Sequence, residues 1–398
     1  MNQSSKFSVK RPFTAAVLAA VLAITSANIA VAAGYPNPGR DSSTQSFVAG
    51  AYIIDSGAQS SPTAKQTVNQ GLKPYGLVYA LLKAKVEVDW IINPSKTQPL
   101  DATMGNTQTD FTFDCDASGS AYVSKAYKTG AFVIPKEFAA QAKPIIDSWK
   151  SANAGLVVDG PCTAPLENLP VFSKIESWPR TILDAQNGAV ATTYYTNAGI
   201  PQGSLTDASN PPAYRYAAPS QLTPCDDLYV MPHADPTYAT HQALIPFIQG
   251  GGSFYASCHA VSVIENMTNG SNSTKVMNFL STTGLINYDA HSQGSVPYGF
   301  YKPTSDTTAY KGLTTANVVR DLDVVNSSDP IAQFIGTTQA ATQAGSEQIF
   351  IPAVGSYWRS STQVIQYDPS QTNATATNGP ASSLLYGPAY GNPSYGYV

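Results

Sequence analysis

Asp227-Leu-Tyr-Val-Met-Pro-His233-Ala-Asp235, then a helix-length interval, then Gly250-Gly251-Gly252-Ser-Phe-Tyr-Ala-Ser257-Cys258-His259-Ala-Val-Ser-Val-Ile-Glu265-Asn-Met267: this stretch decides the reading of the chain. Each short apolar run, Leu228 to Met231 and Ser253 to Ser257, is too short for a helix and reads as a buried strand. The interval from Thr240 to Gln249 and the segment from His259 to Met267 have helical spacing. The strand-to-helix junction therefore falls at Cys258-His259, the place where α/β proteins expose nucleophiles at a sheet edge. All four histidines, His233, His241, His259 and His291, lie between positions 233 and 291, around this cysteine.

Upstream, the same alternation continues. Phe47 to Asp55 and Val86 to Asn93 read as strands, with a helix over Lys73 to Lys83 between them and Pro74 tolerated in its first turn. That is a βαβ unit, which implies parallel strands. Ala131 to Ile134, Leu156 to Asp159 and Pro179 to Leu183 read as further strands. Lys136 to Ala152 and Ala185 to Ala198 read as helices, the second stopped by Gly199-Ile200-Pro201. The expected fold is α/β, a doubly wound, mostly parallel, flavodoxin-like sheet with helices on both faces. Beyond about residue 300 the chain is irregular and rich in Ser, Thr, Ala and Gln. Extra strands are expected there at Gln348 to Pro352, Gln363 to Tyr367 and Ser383 to Tyr386, in the same sheet or in an antiparallel annex.

Lys6, Lys10 and Arg11, an apolar run from Phe13 to Ile24 and the Ala30-Val31-Ala32 ending have the layout of a bacterial secretory signal peptide over residues 1–33. Residues 34–398 are then expected to form a single secreted or periplasmic domain, without an integral membrane segment. A net charge of −4 with 12 % charged residues argues against a nucleic-acid partner. With 23 tyrosines and few charges, the surface suits a small-molecule or carbohydrate ligand. The four cysteines, Cys115, Cys162, Cys225 and Cys258, enter an oxidising compartment in three alternative pairings. If Cys258 stays a thiol, one of the other three is left over.

A thiol at a strand-to-helix turn lies near helix amide groups, which favour thiolate, and an adjacent imidazole can take its proton. The run Gly251-Gly252-Ser-Phe-Tyr-Ala256-Ser257-Cys258-His259-Ala260 resembles the nucleophile region of the class I glutamine amidotransferase-like superfamily. The adjacent Cys-His is more similar to its DJ-1/PfpI branch, and the Tyr-Gly turn near the end is similar to trehalose-utilisation-type members. The phrase from Tyr229 to His241, with Cys-His-Ala-Val-Ser-Val, also resembles a group of uncharacterised secreted bacterial proteins. The superfamily resemblance implies Cys258 as nucleophile, His259 as its neighbour and hydrolysis of an amide or ester through a covalent acyl intermediate. Where acting members carry oxyanion-binding glycines, this chain has Pro232-His233-Ala234-Asp235.

His233, Asp235 and His241 are read as binding residues at the same sheet edge. Their types also suit zinc, although their spacing matches no strong metal signature, and no cofactor is assigned. Asp235-Pro236-Thr237 reads equally as a turn and helix start. His291, on an expected loop, is a candidate triad base. Glu265 lies nearly two turns beyond Cys258, too far to orient an imidazole beside it. The catalytic reading thus rests on Cys258, His259 and His291. Two other readings remain: an exported carbohydrate- or partner-binding protein without catalysis, and a metal-dependent hydrolase.

Overall fold

The computed structural model describes residues 44–56, 71–96, 108–115, 125–203, 213–270, 273–285, 350–353, 355–367 and 382–398, with short stretches between 288 and 339. The expected leader lies outside the described residues. The first half contains β1 (Thr44–Phe47), β2 (Tyr52–Ile54), α1 (Lys73–Lys83), β3 (Val88–Ile91), β4 (Thr109–Phe113), β5 (Lys125–Lys128), β6 (Phe132–Ile134), α2 (Lys136–Ala152), β7 (Val158–Asp159) and β8 (Leu166–Ile175). The central part contains β9 (Thr181–Leu183), α3 (Ala189–Ala198), β10 (Tyr214–Tyr216), β11 (Leu228–Pro232), α4 (Tyr238–His241), α5 (Leu244–Gln249), β12 (Ser253–Ser257) and α6 (His259–Glu265). The last part contains β13 (Tyr288–Gln293), β14 (Val296–Tyr298), β15 (Asp321–Val324), β16 (Thr338–Gln339), β17 (Gln363–Tyr367) and β18 (Ser382–Tyr386).

The largest sheet overturns the expected doubly wound, mostly parallel, flavodoxin-like architecture. It has six strands in the order β1-β8-β3-β6-β2-β7, and every pairing is antiparallel. The β2-α1-β3 unit does form, with both strands running the same way, but β6 sits between them and pairs antiparallel with each. With α2 and β7 following β6, this is the split β-α-β pattern of ferredoxin-like sheets, extended by β8 and β1.

The sequence misleads here for a physical reason. Strands β2, β3 and β6 are buried along their whole length, and such continuous apolar runs usually mark parallel sheets. In this molecule both faces of an antiparallel sheet are covered. Tyr52, Ile54, Trp90, Phe132 and Ile134 pack under α1 and α2 with Leu77, Leu81, Ala142 and Ile146. Ile53, Ile91 and Val133 face the other way, against Phe111 and Tyr127 of the β4–β5 hairpin. The Cys115–Cys162 disulfide ties this hairpin to the sheet, where Cys162 exchanges backbone hydrogen bonds with Gly50 and Ala51. Cys225 is the exposed thiol left over, and Cys258 is outside the disulfide.

Parallel pairing is confined to one four-stranded sheet, order β10-β9-β11-β12. The strand order reverses at β9, since the chain goes from β9 to β10 on one side and then to β11 on the other. Such a reversal opens a crevice at the carboxyl ends of the strands. Helix α3 ends on Gly199 in the left-handed conformation, φ 84°, as its Gly-Ile-Pro stop predicts. Helix α1 reaches across to α3 at Gly76, where a Cβ would lie 1.9 Å from the Ala198 carbonyl oxygen. Tyr79 and Trp178 meet edge to face at 5.5 Å, in the apolar cluster that also holds Leu183, Leu228 and Val230 of the parallel sheet.

The open edge of β12 is covered by the end of the chain. The Phe254 N–H donates to the Tyr397 carbonyl at 2.7 Å, and Pro388 forms an antiparallel bridge with Tyr397. The C-terminal strands form the antiparallel annex, order β16-β15-β17-β18. Val364 and Trp358 carry it into the core cluster of Met231, Phe254 and Ile264. No helix among the described residues is long and apolar enough to cross a membrane.

The disulfide links residues separated by 47 positions, so by loop-closure entropy its loss costs about 4 kcal/mol at most. Urea unfolding of Cys115→Ala/Cys162→Ala is expected to show a stability lower by about 2–4 kcal/mol. An unchanged midpoint would mean that the hairpin is held by packing alone.

Candidate functional site

Strands β11 and β12 pair in register down to Pro232 opposite Ser257, so the next residue of each, His233 and Cys258, emerges side by side. The His233 N–H donates to the Ser257 carbonyl at 3.1 Å and fixes this step. Both residues then take positive φ, 48° at His233 and 62° at Cys258, with ψ −149° at the cysteine. A non-glycine residue so placed is strained by about 1–3 kcal/mol, and that strain persists only where its surroundings over-determine it. Here Ala260, Val263 and Ile264 bury α6 immediately after the turn, leaving Cys258 as a sharp elbow between strand and helix.

Four side chains meet at this elbow. His233 Nδ1 lies 2.9 Å from Cys258 Sγ, and His259 Nδ1 lies 3.6 Å from the same sulfur. The two imidazole rings are edge to face with centroids 4.6 Å apart. His259 is buried, and its Nε2 lies 3.0 Å from Asp235 Oδ1. His233 and Asp235 are exposed, which leaves the cluster open to solvent on one side.

A third loop braces these groups. Gln186, just beyond β9, accepts the Asp235 N–H at 3.0 Å and approaches Asp235 Oδ2 with its amide at 3.5 Å. The Asn187 side-chain amide donates to the His233 carbonyl. Gln186 in turn donates its N–H to Asp184 Oδ1 at 2.8 Å, and Asp184 accepts the Tyr229 hydroxyl at 2.5 Å. Burial pushes the Asp184 carboxyl up, but the bonds from His241, Tyr229 and Gln186 outweigh it and hold the group below the usual carboxylate range. Loops after three adjacent strands, β9, β11 and β12, thus converge beside the point where the strand order reverses.

Burial pushes the Cys258 thiol up, and the hydrogen bond from the His259 N–H only partly opposes it. This shift runs against the thiolate that the strand-to-helix turn favours. Burial also lowers the His259 imidazole, opposed by the Asp235 charge and reinforced by His233. Asp235 beside Nε2 favours the tautomer protonated there, which turns the Nδ1 lone pair toward the sulfur. Cys258 Sγ and His259 Nδ1 thus stand 3.6 Å apart, with the Asp235 carboxylate at the opposite nitrogen of the ring.

The sequence candidates divide accordingly. Cys258, His259, His233 and Asp235 come together. His241 does not join them: it is buried, with Nε2 3.4 Å from Asp184 and Nδ1 engaged with Thr237, so it supports the loop after β9 from within. His291 lies in β13 rather than on a loop, and its side chain is outside the described residues. Thr237, not Asp235, caps α4. Glu265 accepts the Leu280 and Ser281 N–H groups and the Ser281 hydroxyl, anchoring the segment after α6. Asp184, Gln186 and Asn187 carry no motif. Their signal is only position, a polar run directly after the Thr181–Leu183 strand at its carboxyl end. His233, Cys258 and His259 each place a ligand atom within 4.8 Å of the others and are the set suited to a metal ion among the described residues.

Burial pushes the Glu265 carboxyl up to about 7, against the opposing bonds from Ser281 and Leu280. Its folded value exceeds the ordinary glutamate value of 4.5, so its stabilising contribution is full below about pH 4.5 and is lost as pH rises through about 7. Urea titrations of wild type and Glu265→Ala are expected to give a larger cost of substitution at pH 5 than at pH 8. An equal cost at both would contradict this placement.

Comparison with protein-family models, with curated proteins and with solved structures gives no match, and the chemistry of this site rests on its own geometry.

Proposed function

We propose that this protein is a secreted cysteine-dependent hydrolase of amides or esters, with Cys258 as nucleophile. The carrying observation is the elbow: a non-glycine φ of 62° aims a thiol at two imidazoles from the end of a parallel strand. Strained strand-to-helix turns of this kind expose nucleophiles in α/β hydrolases, although fold-level likeness alone does not fix a reaction. The leader-like first 33 residues and the Cys115–Cys162 disulfide support export to an oxidising compartment.

His259 is the general base. Asp235 fixes its tautomer and stabilises the imidazolium that forms, the division of labour of a nucleophile-base-carboxylate triad. As Cys258 Sγ bonds to the carbonyl carbon, its proton passes to His259 Nδ1. The imidazolium then protonates the departing amine or alcohol. A water, deprotonated by the same nitrogen, cleaves the thioester to release the acid and restore the thiol. His233 closes the other side of the sulfur and, being exposed, lies where substrate enters.

Cys258→Ala is expected to abolish hydrolysis of activated ester and amide probes, and intact-mass spectrometry of the wild type should trap one acyl group on Cys258. Asp235→Asn should lower kcat by about 10²–10⁴-fold with little change in KM. Hydrolysis that survives Cys258→Ala would sink the proposal. A second reading, binding of a carbohydrate without catalysis, draws on the raised thiol and on the Pro232-His233-Ala234-Asp235 loop in place of glycines. It predicts ligand-dependent thermal stabilisation that persists in Cys258→Ser.

A further inference from the structure

We propose that His233, Cys258 and His259 form a three-ligand Zn²⁺ site, bound through His233 Nδ1, Cys258 Sγ and His259 Nδ1, with Asp235 as the outer partner of His259. This assembly differs from the His233, Asp235 and His241 spacing visible in the sequence, because His241 turns inward to Asp184.

The argument is one of distances and donor types. A tetrahedral zinc ion with bonds of about 2.3 Å to sulfur and about 2.0–2.1 Å to nitrogen holds sulfur and nitrogen about 3.5 Å apart. Cys258 Sγ and His259 Nδ1 are 3.6 Å apart, which already meets this. Cys258 Sγ and His233 Nδ1 are 2.9 Å apart and must open by about 0.6 Å, a small rotation for an exposed imidazole. All three atoms lie within 4.8 Å of one another. One sulfur and two imidazole nitrogens suit zinc and exclude the hard-oxygen preferences of calcium and magnesium.

The surroundings also match a zinc site. A ligating histidine generally gives its second nitrogen to a carboxylate, which orients the ring and strengthens the ligand, and Asp235 lies 3.0 Å from His259 Nε2. His259 is held by α6 and His233 by the in-register end of β11, so two of the ligands sit at the ends of regular elements. The exposed side of the cluster supplies an entry path and an open fourth position for water or a substrate oxygen. On binding, the Cys258 thiol gives its proton to solvent and the sulfur bonds the ion. Zinc and an acyl group then compete for one sulfur, so bound zinc blocks attack by Cys258. That consequence rests on the hydrolase reading, whereas binding itself does not.

The test uses the full, disulfide-intact chain carrying Cys225→Ser, which removes the exposed thiol as a competing ligand. The protein is stripped with chelator and titrated with Zn²⁺, and separately with Co²⁺ as a spectroscopic probe. The expected result is one ion per chain and a sulfur-to-cobalt charge-transfer band. His233→Ala and Cys258→Ser should each weaken binding by at least about tenfold, and Asp235→Asn by about 10–100-fold. His233 is exposed, so His233→Ala keeps the test decisive even if a variant at buried His259 fails to fold. Failure to retain zinc, or binding undiminished in both His233→Ala and Cys258→Ser, overturns the site. Ester hydrolysis is read separately, so the zinc proposal and the hydrolase proposal fail independently.

Discussion

The in-register pairing of β11 with β12 is the constraint on which the site depends. Because Pro232 lies opposite Ser257, the chain leaves both strands at the same level and sets His233 beside Cys258. A slip of one residue would exchange the faces of one strand and send its last side chain away from the other. The register is held on both sides. Tyr229 and Phe254 are buried in a common core, and the end of the chain seals the outer edge of β12. The strain at the two positive-φ residues is offset by this surrounding structure rather than relieved locally.

Burial governs the chemistry that follows. It raises the Cys258 thiol and lowers the His259 imidazole, and both shifts favour the uncharged form of each group. Asp235 stands on the far side of the His259 ring from the sulfur, and Gln186 and Asn187 hold the Asp235 loop in place. Beneath them, the Asp184, Tyr229 and His241 network fixes the start of that bracing loop. The two proposals, proton transfer and metal ligation, draw on the same feature, a neutral imidazole with its Nδ1 lone pair on the side of the sulfur.

Much of the site was legible in the sequence, since apolar runs and their ends are local signals. Strand Ser253–Ser257, the Cys258 junction, and helices Lys73–Lys83 and Lys136–Ala152 fall where the pattern placed them. Strand neighbours were not legible, because pairing is decided by tertiary contacts. A fully buried run looks the same in a parallel sheet and in an antiparallel sheet covered on both faces. The ten-residue strand Leu166–Ile175 carries no strand signal, because Glu167, Asn168 and Pro170 interrupt its apolar pattern. Its interior proline argues against a central strand on general grounds. The partners of each histidine were equally hidden: His233 and His241 share one stretch of sequence, yet one faces sulfur and the other a buried carboxylate.

The most direct measurement of the account is mass-mapped iodoacetamide labelling of Cys258 and Cys225 in the same folded molecule across pH, repeated in His233→Ala. The account predicts that Cys258 labels with a midpoint above the ordinary thiol value of about 8.5, and that its rate changes in the variant while Cys225 is unaffected. Complete resistance of Cys258 at every pH, or a profile identical in wild type and variant, would contradict a thiol poised between two imidazoles.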